Sequence, residues 1–140
     1  GADINKAMNN GLTPLIIASD KGHVDVVRVL AERGADINKA DDDGATPLHA
    51  ASDKGHVEVV RMLAERGANI NQAMNTGATP LLIASQEGHV EVVRALLGRG
   101  ADINKGRLGM TPLMMAQRYN HHEVGRLLER ALLKRQSSTK

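Results

Sequence analysis

A tripeptide that returns at a fixed interval constrains this chain more than any other feature. Thr-Pro-Leu begins at Thr13, Thr46, Thr79 and Thr111, in steps of 33, 33 and 32 residues. Gly-Ala-[Asp/Asn]-Ile-Asn begins at Gly1, Gly34, Gly67 and Gly100, and Gly-His-Val-[Asp/Glu]-Val-Val-Arg begins at Gly22, Gly55 and Gly88. Motifs that keep one register over the whole length mark a tandem array, in which one supersecondary unit is built again and again.

The second copy shows what that unit is. Thr46 is a good N-cap, and Pro47 at the first helical position gives up no hydrogen bond, because that N–H has no partner in a helix. A short helix is expected through Leu48–Ser52, ended by Gly55. A second helix follows, with Val57, Val59, Val60, Met62 and Leu63 apolar and Glu58, Arg61, Glu65 and Arg66 charged. Its apolar residues recur at helical spacing, so it has one dry face and one wet face. Gly67 ends it, and Asn10-Gly11, Asp43-Gly44 and Thr76-Gly77 supply tight-turn chemistry between copies. A helix pair with a turn cannot bury its apolar face alone, so the copies must stack into a solenoid.

With its 33-residue period, its Thr-Pro-Leu-His-Ala-Ala at Thr46–Ala51 and its Gly-Ala-Asp-Ile-Asn segments, the unit resembles the ankyrin repeat. The resemblance implies an all-α fold, an α/α solenoid of helix–turn–helix units with β-hairpin-like fingers. It covers residues 1–133, in repeats of about 1–33, 34–66, 67–99 and 100–133, followed by a basic tail at 134–140 that is expected to fray. The histidine of the motif survives only as His49, where the resemblance implies hydrogen bonds within and between repeats; Ile16, Leu82 and Met114 replace it. The fourth copy drifts furthest. It lacks one hairpin residue, carries Asn120 where the others have glycine, and puts His122 and Gly125 at valine positions. With Arg126, Glu129, Arg130, Lys134 and Arg135 along its last helix, it reads as a capping repeat whose outer face meets water. Repeat 1, by contrast, carries Val26, Val27, Val29 and Leu30 with no polar cap. Excision from a longer array is the favoured explanation, and self-association through this uncapped repeat is the other. Repeats 1 and 2 differ at only 8 of 33 positions, as expected of recent duplication or of an engineered consensus array.

Composition excludes most chemistry. Cysteine, Phe and Trp are absent and Tyr119 is the only aromatic. No thiolate metal site, thiol nucleophile or aromatic stacking platform for single-stranded nucleic acid is therefore available. There is no apolar run long enough to span a membrane and no basic-then-apolar leader at the start. The compartment stays open, with an intracellular setting favoured. His23, His56 and His89 recur at the repeat period, so neighbouring copies stand about 10 Å apart, too far to share a zinc ion. His121-His122 lacks an HExxH frame. Ser19, Ser52 and Ser85 recur singly, and no glycine-rich phosphate loop is present. No enzymatic activity, small-molecule substrate, cofactor or metal is expected.

The resemblance implies that another protein binds along the surface made by finger tips and first helices. The matching positions are Ala7, Asn9, Asn10, Leu12, Asp20 and Lys21 in repeat 1, and Ala40, Asp42, Asp43, Ala45, Asp53 and Lys54 in repeat 2. Repeat 3 gives Ala73, Asn75, Thr76, Ala78, Gln86 and Glu87, and repeat 4 gives Arg107, Leu108, Met110, Arg118 and Tyr119. Met8 and Met74 replace Asp41, where the resemblance implies a hairpin-to-hairpin hydrogen bond. Their thioethers beside Leu12, Leu108 and Met110 suggest an adaptable apolar strip, while Asp41-Asp42-Asp43 forms an acidic tip suited to a basic or polar ligand segment. Charge is uneven: residues 1–104 hold 10 Lys/Arg and 14 Asp/Glu, and residues 105–140 hold 8 and 2. A contact of that basic end with nucleic acid or an anionic membrane is the third functional reading. The lack of a reader motif argues against it.

Overall fold

The computed structural model describes residues 3–138. Gly1 and Ala2 of the first repeat, and Thr139 and Lys140 of the expected tail, lie outside the described residues. Among the described residues eight helices run in four pairs: α1 (Pro14–Lys21) with α2 (Val24–Glu32), α3 (Pro47–Lys54) with α4 (Val57–Glu65), α5 (Pro80–Glu87) with α6 (Val90–Gly98), and α7 (Pro112–Arg118) with α8 (His122–Ser138). No strand forms among the described residues, and the single β-bridge joins Arg107 to Met110. The first helices of the pairs pack on one another in chain order, and so do the second helices, giving two layers.

Each pair starts as its sequence dictates. The hydroxyls of Thr13, Thr46, Thr79 and Thr111 accept from the backbone N–H three residues on, and proline follows each of them. Gly55 ends α3 at φ 78°, and Asn120 reaches φ 61° at the matching place after α7, a region asparagine tolerates better than most residues. The core is aliphatic, with Leu15, Val27, Leu48, Val59, Leu63, Leu81, Val92, Leu96, Val124 and Leu128 buried in one continuous cluster.

Repeat junctions are also fastened by polar contacts. His56 Nε2 donates to the carbonyl of Asp20 at 2.9 Å, His89 Nε2 to that of Asp53 at 2.8 Å, and His121 Nε2 to that of Gln86 at 2.9 Å. Each ring lies against the glycine ending the previous repeat's first helix. A Cβ on Gly55 would come within 2.6 Å of the His89 ring, so glycine is needed there for space as well as for its positive φ. On the other side of the stack, Asn38 accepts from Asn69 N at 2.8 Å and donates to Gly67 O at 3.2 Å.

The fourth repeat departs in two ways. Its shortened finger closes through Arg107 N–H to Met110 O at 3.0 Å and Met110 N–H to Arg107 O at 2.8 Å, which places Leu108 at φ 50°. A leucine held there is strained by about 1 kcal/mol or more. The expected frayed tail, in contrast, is helix as far as Ser138. Leu128, Ala131 and Leu132 continue the apolar stripe of α8 into the core cluster. Arg135 then fixes the last turns, donating through Nη1 to Ala101 O at 2.7 Å and through Nη2 to Leu97 O at 3.4 Å. Those carbonyls lie at and just beyond the end of α6, where a cation is favourable.

Two stability changes follow from this end of the molecule. Gly125 is buried within α8, and a Cβ there would meet only Leu113 Cδ1, at an ordinary 3.9 Å. Gly125→Ala is therefore expected to raise unfolding stability by about 1 kcal/mol, measured in urea; a loss would show that the helix is held by something other than its own propensity. Arg135→Ala is expected to lower stability by about 1 kcal/mol, because it takes the donor from Ala101 O, whereas Leu97 O keeps the Gly100 N–H at 3.2 Å. Hydrogen exchange should quicken over 134–138 in that variant, and unchanged exchange would rule out the anchoring role.

Candidate partner-binding groove

A groove of about 740 Å³ runs between the fingers and the first helices, and it takes its lining from all four repeats. Its floor is apolar, with Ile17, Ala50 and Ile83 at one register position of α1, α3 and α5. Ile16, His49 and Leu82 lie deeper at the preceding position. Leu12, Met8 and Met74 form the finger wall, and Met8 is 58% exposed.

The sequence-derived site residues divide around this groove. Leu12 and Met8 of the first finger, Asp41 and Ala45 of the second, Met74, Thr76 and Ala78 of the third and Arg107 of the fourth line it. So do Asp20, Lys21, Asp53 and Gln86 near the helix ends. Ala78 is buried and supports the wall from behind. Ala7, Asn9, Asn10, Asp42, Asp43 and Asn75 are exposed on the fingers outside the groove, while Ala40 and Ala73 are half-buried there. Lys54 and Glu87 are exposed at the rim, and Arg118 and Tyr119 are exposed at the end of α7. The apolar strip is shorter than its sequence reading: Leu108 stands exposed at the fourth tip, and Met110 packs with Ala78, Leu82 and Met115.

Hydrogen bonding at the tips also differs from what the resemblance implied. The Asp41 carboxylate stays within its own finger, accepting from Asp43 N and Ala45 N at 2.9 Å each. It thereby mimics a turn, as aspartate does at short range. The finger-to-finger bonds are made instead by Asp42 N to Asn10 O at 3.2 Å, Asn75 N to Asp43 O at 2.9 Å and Asn75 Nδ2 to Asp42 O at 3.0 Å. Met8 and Met74 therefore replace a turn-stabilising carboxylate. Their own fingers still close, through Met8 N to Leu12 O at 2.9 Å and Met74 N to Ala78 O at 2.8 Å.

His49 under the groove floor makes the bonds within and between repeats that the resemblance implied. Its Nδ1 lies 3.0 Å from Thr46 N and 2.9 Å from Thr46 Oγ1, and its Nε2 lies 3.1 Å from Ala78 O in the next repeat. The Thr46 N–H, the Thr46 hydroxyl and the Ala78 carbonyl are satisfied together only when Nδ1 accepts and Nε2 carries the proton. Burial holds the ring below the ordinary histidine value of 6.5, against the opposing pull of the Ala78 and Gln72 carbonyls and Asp41. It is a neutral structural group. The hydroxyls of Ser19, Ser52 and Ser85 are buried without a hydrogen-bond partner, so none is placed to attack a substrate. Among the described residues no cluster of three or more His, Asp or Glu could hold a metal ion, and no helix is long and apolar enough to cross a membrane.

The family model for ankyrin repeats in three copies matches residues 1–74 and again 70–135. The chain belongs to the ankyrin repeat family. No curated protein matches the sequence. Ankyrin repeats are generally protein-interaction modules and typically non-catalytic, and the groove occupies the finger and first-helix side of this ankyrin array.

The depressed pKa of His49 gives this array a testable pH dependence. The unfolded chain takes up a proton near pH 6.5 that the folded ring refuses. Its contribution is therefore complete above about pH 6.5 and is lost progressively as pH falls below that value. His49→Leu copies the residue at Leu82 and should shrink the fall in melting temperature between pH 7.5 and pH 5.5. An equal fall in variant and parent would exclude His49 as a source.

Proposed function

We propose that the chain is a non-catalytic scaffold that binds another protein through the groove between its fingers and first helices. The observation that carries this reading is the floor. Ile17, Ala50 and Ile83 are only half-buried, in register on the first helices of three successive repeats, and none of the described residues covers them. Aliphatic side chains left open along a continuous groove gain about 25 cal/mol for each Å² that a partner removes from water. The surrounding fingers are braced by finger-to-finger hydrogen bonds, so a ligand meets a preformed surface and little ordering cost opposes binding.

A partner recovered by pull-down with the intact chain provides the test. Met8→Asp with Met74→Asp puts charge into the apolar wall and should weaken its affinity at least tenfold. Glu58→Lys, on the exposed side of α4, should leave affinity unchanged. Circular dichroism checks that each variant is folded. Loss of binding in the α4 variant with retention in the groove variant would refute the reading.

A further inference from the structure

The groove's charges are not arranged like its shape, which repeats. Between repeats 1 and 2, Lys54 Nζ lies 3.0 Å from the Asp20 carboxylate, and that bond holds the ammonium above the ordinary lysine value. One repeat on, the same two register positions are Asp53 and Glu87. The cation has become a second carboxylate, so a pair of opposite sign is replaced by a pair of like sign. Asp53 is half-buried at the groove edge and makes no ion pair among the described residues. Among the described residues Glu87 meets the side-chain amide of Gln86, at 3.4 Å, and makes no ion pair. Lys54 stands next to Asp53 and feels its charge, but its ammonium is bonded to Asp20, and the cations that line the groove, Lys21 and Arg107, come from the first and fourth repeats.

Two like charges on neighbouring repeats, Asp53 half-buried and Glu87 exposed, repel each other and favour a cation between them. The geometry for such a cation is already demonstrated one repeat earlier, where a lysine reaches the matching carboxylate. We propose that the groove takes a short amphipathic segment of a partner protein, which lays aliphatic side chains on Ile17, Ala50 and Ile83 and directs a lysine or arginine to Asp53 and Glu87. This rests on the scaffold reading above and adds the chemistry of the ligand. Aliphatic contact supplies the affinity. The basic residue fixes the register, because sliding by one repeat would bring it to Asp20, which Lys54 already neutralises.

The intact 140-residue chain panned against a phage-displayed random 16-residue peptide library tests this. The selected peptides should share two or more aliphatic residues and one lysine or arginine. Affinity is then measured by calorimetry against three variants. Ala50→Arg, which fills the floor, should abolish binding. Asp53→Asn should weaken it about tenfold. Glu87→Lys rebuilds the Asp20–Lys54 arrangement within the chain; it should weaken binding as much while raising thermal stability, which separates lost recognition from lost folding. Binding that Ala50→Arg leaves intact would overturn the groove reading itself. Binding lost in Ala50→Arg but unchanged in Asp53→Asn and Glu87→Lys would keep the groove and overturn the basic ligand. A failure to select peptides, or a consensus without a basic residue, would also overturn the proposal.

Discussion

Val26, Val59, Val92 and Val124 occupy one register position on the second helices. Val26 is 48% exposed, and the others are 0%, 1% and 1% exposed. One side chain in one local fold is wet or dry according to whether a repeat stands before it. Burial at the junction is therefore the interaction on which the rest depends, since within a pair nothing covers this face. Stability in such an array is close to a sum over neighbours. The fingers and groove inherit their rigidity from a stack of α2, α4, α6 and α8 on the far side.

Apolar burial has no direction of its own, and the Gly–His pairs supply one. Each imidazole needs a flat glycine beneath it and a helix-end carbonyl ahead of it, and both lie one repeat back at a fixed offset. A repeat that slid or rotated on its neighbour would break the bond and drive the ring into backbone. The hydrophobic contact holds the repeats together, while the histidine fixes how they sit. That division keeps Ile17, Ala50 and Ile83 aligned closely enough to form one floor.

Much of this was legible in the sequence. Helix starts followed from Thr-Pro, the end of α7 from the tolerance of Asn120 for positive φ, and the fold class from the 33-residue period. The recurrent histidines were read against metal binding alone, and their bonds to the preceding repeat were missed. The useful signal was their constant position directly after glycine, which asks what needs a residue without a Cβ. The groove floor was missed for a related reason: first helices that are apolar on more than one side look like plain core. Ile17, Ala50 and Ile83 share a register, but exposure depends on where the fingers stop, which pattern alone does not give. The end of α8 was misjudged because Gln136 and its neighbours are polar. The decisive contact there is Arg135 with carbonyls over 30 positions earlier.

Asn120 has a consequence for how arrays of this kind lengthen. In the first three repeats the corresponding residue is glycine, and a Cβ there would stand 2.4–2.6 Å from the histidine ring of the repeat that follows. A fifth unit of the same design, placed after the fourth, would bring its imidazole against the Asn120 Cβ. Copying any of the first three units in place yields a seam that fits, whereas copying the fourth carries the obstruction into the new seam. One methylene thus sets the rear seam apart: behind the fourth unit, an imidazole of the same design fits only if the Asn120 Cβ gives way.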